Sequence, residues 1–517
     1  MRGWRAAFIV LLTCVLSLGV PAAGTMTMPG AEVVDAPRET PVDPASDPAL
    51  AAYYGQALQW STCRGKFECS WLTVPTSYEN PSLGAVKVRV LRDASAKPGQ
   101  RIGALIVNPG GPGGSGTELA QYANYYFSRD LRRHFDVVGF DPRGIPQSTP
   151  AVECMDNEQF EAWIDADPTP DTAAERLALI DASRTFAEGC EQRSPGISHH
   201  MDTRLVARDL DVLRAALGEP VLNYLGYSYG TQIGAMYLDL FPTRAGRLVL
   251  DGAIDPSLDF VETIHGQAIG FDRALRQFAK DCLKHADCPL PAPASRALHR
   301  LERFLQDLDA QPIRAQAGRP LLLAQAVNAV FSAMYDDYSG WPLLREALAA
   351  GLSGNGRPLQ RMADIYTGRR ADGVYTGNEF YAGYYAVSCW DAPRPTGPRG
   401  LRDLARTWGS RAAVPEIAEA LAWSILPCHY WSGNSTVLPH EVTAPGAPPV
   451  LVIGTRFDPA TPLEWARALA SQLESGVFLE WVGNGHVAYG RGSTCIVAAV
   501  DRYLLTGTPP RDGKVCR

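Results

Sequence analysis

Six short apolar runs, each closed by a glycine-rich or acidic turn, lay out this chain: Ala104–Asn108, Phe135–Phe140, Val221–Leu225, Arg247–Leu250, Pro449–Gly454 and Val477–Val482. Helical spacing recurs between them. Leu205, Val206, Leu210, Leu213 and Leu217 share one face of Met201–Leu217, Thr231–Leu240 stops before Pro242, and Leu463–Leu473 and Ile496–Leu505 follow the last two runs. Strands alternating with helices imply parallel βαβ units, hence an α/β fold with a doubly wound sheet. About 190 residues separate the fourth run from the fifth, far beyond an ordinary βα connection. The spacing therefore predicts a core made of residues 51–254 and 446–517, interrupted by a mainly helical insertion over 255–445. Helices are expected there near Phe271–Lys280, Arg296–Leu308 and Leu322–Met334, and a smaller insertion spans 146–200.

The chain of 517 residues is 46% apolar and 20% charged, enough to build a large core and too apolar for general disorder. Its net charge of −7 argues against nucleic acid as a partner, which would call for a basic patch. Arg2 and Arg5 followed by the uncharged run Ala6–Val20 and the small residues Pro21–Gly24 read as a signal peptide over 1–24, with an uncleaved anchor as the alternative. Residues 25–50, rich in Pro, Ala, Asp and Thr, are expected to be a flexible leader. Removing Cys14 from the eleven cysteines leaves an even number. Nearest-neighbour pairing gives Cys63–Cys69, Cys154–Cys190, Cys282–Cys288, Cys389–Cys428 and Cys495–Cys516, although sequence does not dictate connectivity. No CxxC pair or Cys/His spacing suggests a metal, and no cofactor is expected. These features imply an oxidising compartment, periplasm or medium, and a monomer free of the membrane once the signal is removed.

The informative pentapeptide is Gly226-Tyr227-Ser228-Tyr229-Gly230, between a predicted strand and a predicted helix. A sharp strand-to-helix turn exposes the serine hydroxyl at the sheet edge, at the positive end of the helix. Such a nucleophile needs a base and an acid to orient it, in the order Ser, Asp or Glu, His. Of nine histidines, His486 alone follows Ser228 in a glycine-rich turn at a strand end near the C-terminus. Asp458 follows the fifth run and is the first choice of acid, with Asp251 and Asp255 as runners-up. The oxyanion of acyl transfer needs two N–H donors, assigned to Tyr229 and to Gly111 in the glycine loop after the first run. A nucleotide loop is the competing reading of Gly111-x-Gly113-x-x-Gly116, but the Lys-Ser/Thr ending of a P-loop is missing.

Asn108-Pro-Gly-Gly-Pro-Gly-Gly-Ser-Gly116, Asp141-Pro-Arg-Gly144, Gly226–Thr231, Asp458-Pro-Ala-Thr-Pro462 and Gly485-His486 together resemble the secreted tripeptidyl aminopeptidases of the α/β-hydrolase superfamily, relatives of prolyl aminopeptidase. The segment Cys495–Cys516 resembles that family's tail. The resemblance implies an α/β-hydrolase fold with a helical cap, Ser228, Asp458 and His486 as the triad, and a peptide substrate with a free N-terminus. The insertion would then supply an acid for the substrate ammonium. Glu379 or Asp391, beside dense aromatics (Tyr335, Tyr338, Trp341, Tyr375, Phe380, Tyr381, Tyr384, Tyr385, Trp390), are the candidates, and Asp336-Asp337 flank another aromatic cluster. Two departures stand out: Ile145-Pro-Gln-Ser148 replaces a glycine-containing turn, and Val487 stands where a glycine often follows the histidine. The rivals are an esterase or lipase with the same triad, acting on an ester, and a non-catalytic binding protein on the same fold. A carboxylate-nucleophile hydrolase does not fit a serine at the elbow.

Overall fold

A computed structural model describes residues 43–316, 318–433, 435 and 438–517. The expected signal peptide and the leader up to residue 42 lie outside the described residues. Residues 45–517 form one compact unit. Leu50 and Tyr54 are buried in it, and the Tyr54 hydroxyl donates to Asp211 Oδ2 at 2.9 Å, so the last residues assigned to the leader already belong to the folded body.

Its strands, in chain order, are β1 (Ser61–Cys63), β2 (Phe67–Pro75), β3 (Ala85–Asp93), β4 (Gly103–Asn108), β5 (Phe135–Asp141), β6 (Leu222–Tyr227), β7 (Ala245–Asp251), β8 (Ile313–Gln316), β9 (Arg319–Leu321), β10 (Val450–Phe457), β11 (Gly476–Asn484) and β12 (Lys514–Cys516). All but β8 and β9 join one sheet of order β1-β2-β3-β5-β4-β6-β7-β10-β11-β12. Pairings from β5 through β4 to β12 are parallel, and those among β1, β2, β3 and β5 are antiparallel. All six expected runs are strands. Every residue of β4, β5 and β6 is buried, which is why these segments are apolar without alternation. Ala104 and Ile106 pack into one core and Leu105 and Val107 into the other, on opposite faces of the sheet. In β3, by contrast, Val86, Val88 and Val90 are buried while Lys87 is exposed, a half-buried alternation at the sheet's antiparallel end.

From β4 the chain moves to β5 on one side, and from β6 to β7 on the other. Asn108, the last residue of β4, pairs in register with Gly226. The loops leaving β4 and β6 therefore diverge from a topological switch point, the crevice where open α/β sheets bind ligands.

Between Asp251 and Val450 the chain forms the β8–β9 ribbon and helices that include Phe260–Cys282, Ala294–Ala310, Leu323–Met334, Gly377–Trp390 and Pro415–Trp423. The segment 146–200 supplies two more, Asn157–Asp165 and Ala173–Arg193. These pack on the larger insertion: Trp163 meets Tyr381 and Tyr385 edge to face at 5.5 and 5.7 Å. The cysteines are joined as 63–69, 154–190, 282–288, 389–428 and 495–516. No described helix is long and apolar enough to cross a membrane.

Asp141-Pro142-Arg143-Gly144 has a structural use. Asp141 Oδ1 accepts from Ser115 Oγ at 2.8 Å and Thr117 N at 3.0 Å, capping the helix Gly116–Gln121 that follows the glycine loop. Arg143 is fully buried; its fork meets Asp209 at 2.7 and 2.8 Å and donates to Pro75 O and Thr76 O. Removing it strands a buried carboxylate and two carbonyls. Arg143→Ala is therefore expected to lower stability by about 3–5 kcal/mol, read from the urea midpoint.

Candidate active site

Ser228 links β6 to the helix Tyr229–Leu240 with φ 53° and ψ −125°, outside the usual regions for a residue with a Cβ. Its flanking glycines are required by close approach. A Cβ on Gly226 would stand 2.4 Å from Gly230 O, and one on Gly230 would stand 2.8 Å from Asn108 O. The turn is held by hydrogen bonds from Ser228 N to Asp251 O (2.9 Å) and from Thr231 N to Ser228 O (2.8 Å).

His486 is brought to the same crevice, and it and Ser228 both line a cavity of about 530 Å³. Behind it lies Asp458, 2% exposed, with oxygens 2.9 and 3.0 Å from His486 Nδ1. A carboxylate at Nδ1 favours a proton there and leaves Nε2 unprotonated. Asp458 is itself fixed by N–H groups of Ala460 and Thr461 at 2.9 Å and of Val487 at 3.1 Å. On the other side the histidine is tied to the insertion. His486 N donates to Tyr335 O at 2.9 Å, the two rings meet edge to face at 5.4 Å, and Arg491 bridges Tyr335 O, Asp336 and Asp337 at 2.8–3.0 Å. The Asp336-Asp337 pair is thus spent on Arg491.

The glycine loop lies against the elbow. Gly110 has φ 94°, and a Cβ there would fall 2.5 Å from Tyr227 O and 2.8 Å from Tyr229 N. Gly110 N is taken by Asn108 Oδ1 at 2.9 Å. The N–H groups of Gly111 and Tyr229 donate to no group among the described residues. Gly113 and Gly116, the other glycines of the loose dinucleotide pattern, make room for Phe380 O and Phe140 O, 2.5 and 2.2 Å from an added Cβ.

The cavity wall is aromatic and neutral. Trp163, Phe271, Tyr335, Tyr366, Phe380, Tyr381, Tyr384, Tyr385 and Trp423 line it with Asn328, Gln267 and Ser424, and among the described residues His486 is the one titratable lining group other than tyrosines. Of the expected aromatics, Tyr335, Phe380, Tyr381, Tyr384 and Tyr385 face the cavity. Trp341 is packed on Phe278, Tyr375 on Phe160, and Tyr338 is 90% exposed. Trp390 donates to Ser198 O.

The two acids expected at the cavity stand elsewhere. Glu379 is exposed and does not line it, because the helix Gly377–Trp390 turns Phe380, Tyr381 and Tyr384 inward. Partial desolvation by its neighbours and the nearby Glu153 raise its pKa. Asp391 lines a separate recess of about 60 Å³ that shares Gly111, Gln267 and Tyr384 with the main cavity. Its carboxylate accepts from Thr203 N at 2.8 Å and from Thr203 Oγ1, and Gln232 Nε2 stands 3.4 Å away.

The chain is similar to known proteins over most of its length. A family model described as "alpha/beta hydrolase fold" matches residues 103–339, and one described as "TAP-like protein" matches 414–516. A relative from Mycobacterium tuberculosis named "Serine protease Hip1" is 35% identical over 486 residues, covering 89% of this chain and 91% of its own. The chain belongs to the α/β-hydrolase family of serine hydrolases. Within that family, "Tripeptidyl aminopeptidase" of Streptomyces coelicolor is 34% identical over 88% of this chain and 85% of its own. "Carboxylesterase B" of M. tuberculosis is 34% identical over 96% and 94%.

Both departures from the family pattern now have a physical description. Val487 adopts φ 62°, the left-handed region that favours glycine. Ser148 Oγ donates to Asp141 O at 2.5 Å and accepts from Arg89 N at 3.0 Å, and Gln147 donates to Thr117 Oγ1 at 3.0 Å, so the Ile145–Ser148 turn is fastened to β3 and β5 and to the capped helix. The contributions of Asp251, Arg491 and Trp163 are not legible in sequence, since their partners are distant segments.

Two outcomes are expected. Gly110→Ala should cut turnover about 10²–10³-fold, as loss of an oxyanion donor does, because its Cβ displaces the elbow backbone; active-site titration with steady-state rates reads this. Burial raises the Asp391 pKa from the ordinary 3.8 to about 7, against the Thr203 hydrogen bonds. Between those values the folded chain holds a proton that the unfolded chain releases. The stability it contributes is full below the window and lost as pH rises through it. Asp391→Asn should flatten the fall of Tm over that range.

Proposed function

We propose that this chain is an exported serine peptidase that releases short peptides from free N-termini. The observation that carries the reading is the pairing of Asp458 with His486 Nδ1 at 2.9 and 3.0 Å behind a cavity shared by His486 and the strained Ser228. In this reading Ser228 Oγ attacks the scissile carbonyl as His486 Nε2 takes its proton. The tetrahedral oxyanion is held by the N–H groups of Gly111 and Tyr229. The imidazolium, stabilised by Asp458, gives the proton to the leaving amine, and the C–N bond breaks to leave a Ser228 acyl ester. Water, deprotonated by His486, then attacks the ester, and the proton returns to Ser228 as the peptide acid departs.

Aminopeptidase action is supported by the name of the Streptomyces relative and by a cavity volume that suits a few residues. Asp391, in the recess adjoining Gly111, is the proposed partner of the substrate ammonium. Export is supported by the N-terminal sequence and by the five disulfides.

A carboxylesterase is the second reading, favoured by one observation: among the described residues no carboxylate lines the main cavity to meet an ammonium. The test compares a free tripeptide anilide, its N-acetylated twin and a short acyl ester on the purified protein. Cleavage of the free anilide alone supports the aminopeptidase. Turnover of the ester with neither anilide moves the reading to esterase. In both cases Ser228→Ala should remove nearly all turnover and fluorophosphonate labelling, and retained activity sinks the mechanism.

A further inference from the structure

Asp251 closes β7 fully buried, beside the proposed triad. Its main-chain oxygen accepts Ser228 N at 2.9 Å, so it braces the elbow. Its carboxylate accepts Ala488 N at 3.0 and 3.1 Å and Tyr489 N at 2.7 Å, so it also holds the turn that carries His486. The residue between, Val487, is β-branched and sits at φ 62°, a conformation that persists only when its surroundings over-determine it. Its N–H is held by Asp458 and its carbonyl by Thr455 Oγ1 at 3.1 Å. The next residue of the β7 end, Gly252, donates to Ile453 O of β10 at 3.0 Å, and a Cβ there would meet Val487, Thr461 and His486 within 3.4 Å. One residue thus touches the nucleophile turn and the histidine turn, and its neighbour touches the strand leading to Asp458.

We propose that Asp251 is a positioning residue of the hydrolysis, whose carboxylate clamps the strained turn after His486 and sets the imidazole between Ser228 and Asp458. It acts through His486 and touches no substrate. A second negative charge near the imidazole also favours the imidazolium formed in the transition state. The assignment rests on the Ser228–His486–Asp458 reading above.

The charged carboxylate is the stronger acceptor for these N–H groups and carries the second negative charge, so protonation weakens both effects. Burial raises the Asp251 pKa to about 7; Asp458 adds to this, and the Tyr489 and Ala488 N–H groups and His486 oppose it. The other titratable groups facing it, Tyr227 of β6 and Tyr489, are held neutral by burial. An imidazole base alone gives an acid limb of unit slope in log kcat/KM against pH. With Asp251 taking a second proton, the wild-type limb is expected to approach a slope of two.

The experiment is the pH profile of kcat/KM for the full-length wild type and for Asp251→Asn, with fluorophosphonate labelling rates alongside. Asn keeps the shape but replaces one acceptor oxygen with an amide. Expected are a fall in kcat of about 10- to 100-fold with KM nearly unchanged, labelling slowed in proportion, and an acid limb of unit slope in the variant. Wild-type kcat and labelling in the variant would overturn the proposal, as would equal slopes in the two proteins. Should the variant fail to fold, the wild-type profile decides: a slope near two supports the clamp and a slope of one overturns it. Activity retained in Ser228→Ala would instead remove the triad reading beneath it, a result separable from either outcome for Asp251.

Discussion

Two backbones meet at the carboxyl ends of β4 and β6 with no room for a side chain between them. Added carbons on Gly110, Gly226 and Gly230 would lie 2.4–2.8 Å from main-chain atoms of Tyr227, Tyr229, Asn108 or Gly230. That approach puts the glycine loop over the serine turn and leaves the N–H groups of Gly111 and Tyr229 without a partner among the described residues. It is possible because β4 and β6 are neighbours at the switch point, with Asn108 opposite Gly226. Gly110 and Gly230 are glycines because a larger residue would separate loop from elbow, and Gly226 because a larger residue would press on Gly230 within the elbow.

Around this contact the rest of the molecule serves as support. Asp141 caps the helix leaving the glycine loop, and Arg143, two residues on, pins the β5 end to the carbonyls of Pro75 and Thr76 through a buried pair with Asp209. His486 is reached from three sides: Asp458 behind the ring, Tyr335 of the insertion, itself held by Arg491, and Asp251 from β7. The insertion therefore does two jobs. It walls the cavity with aromatics, and it fixes the turn that presents the histidine. A shift of Tyr335–Asp337 would move both together.

The parts of this arrangement that could be read in the sequence are those defined over a few neighbouring residues. The apolar runs of β4, β5 and β6 are buried strands, and Gly226–Gly230 can make the strained turn at a strand–helix junction because its glycines leave room for the backbones to pass. Residues 61–93 carry a weaker signal: β2 and β3 have half-buried patterns at an antiparallel end that the parallel runs do not announce. The 146–200 segment reads as a separate small insertion, yet its Trp163 packs into the same aromatic wall as Tyr381 and Tyr385.

The sequence by itself determined the order of Ser228, Asp458 and His486, the strand ends on which they sit, and the glycines that must lack a side chain, because periodicity and turn sterics are local. Tertiary structure alone decided which side chains face the cavity. Phe380 lines it while Glu379, one position earlier, does not, because helix rotation is set by what packs against the other face. It likewise decided that, of the candidate acids, Asp251 holds the turn after His486 while Asp458 meets the ring. Both are acids at strand ends, and only the spatial meeting of β7, β10 and the 485–491 turn tells them apart.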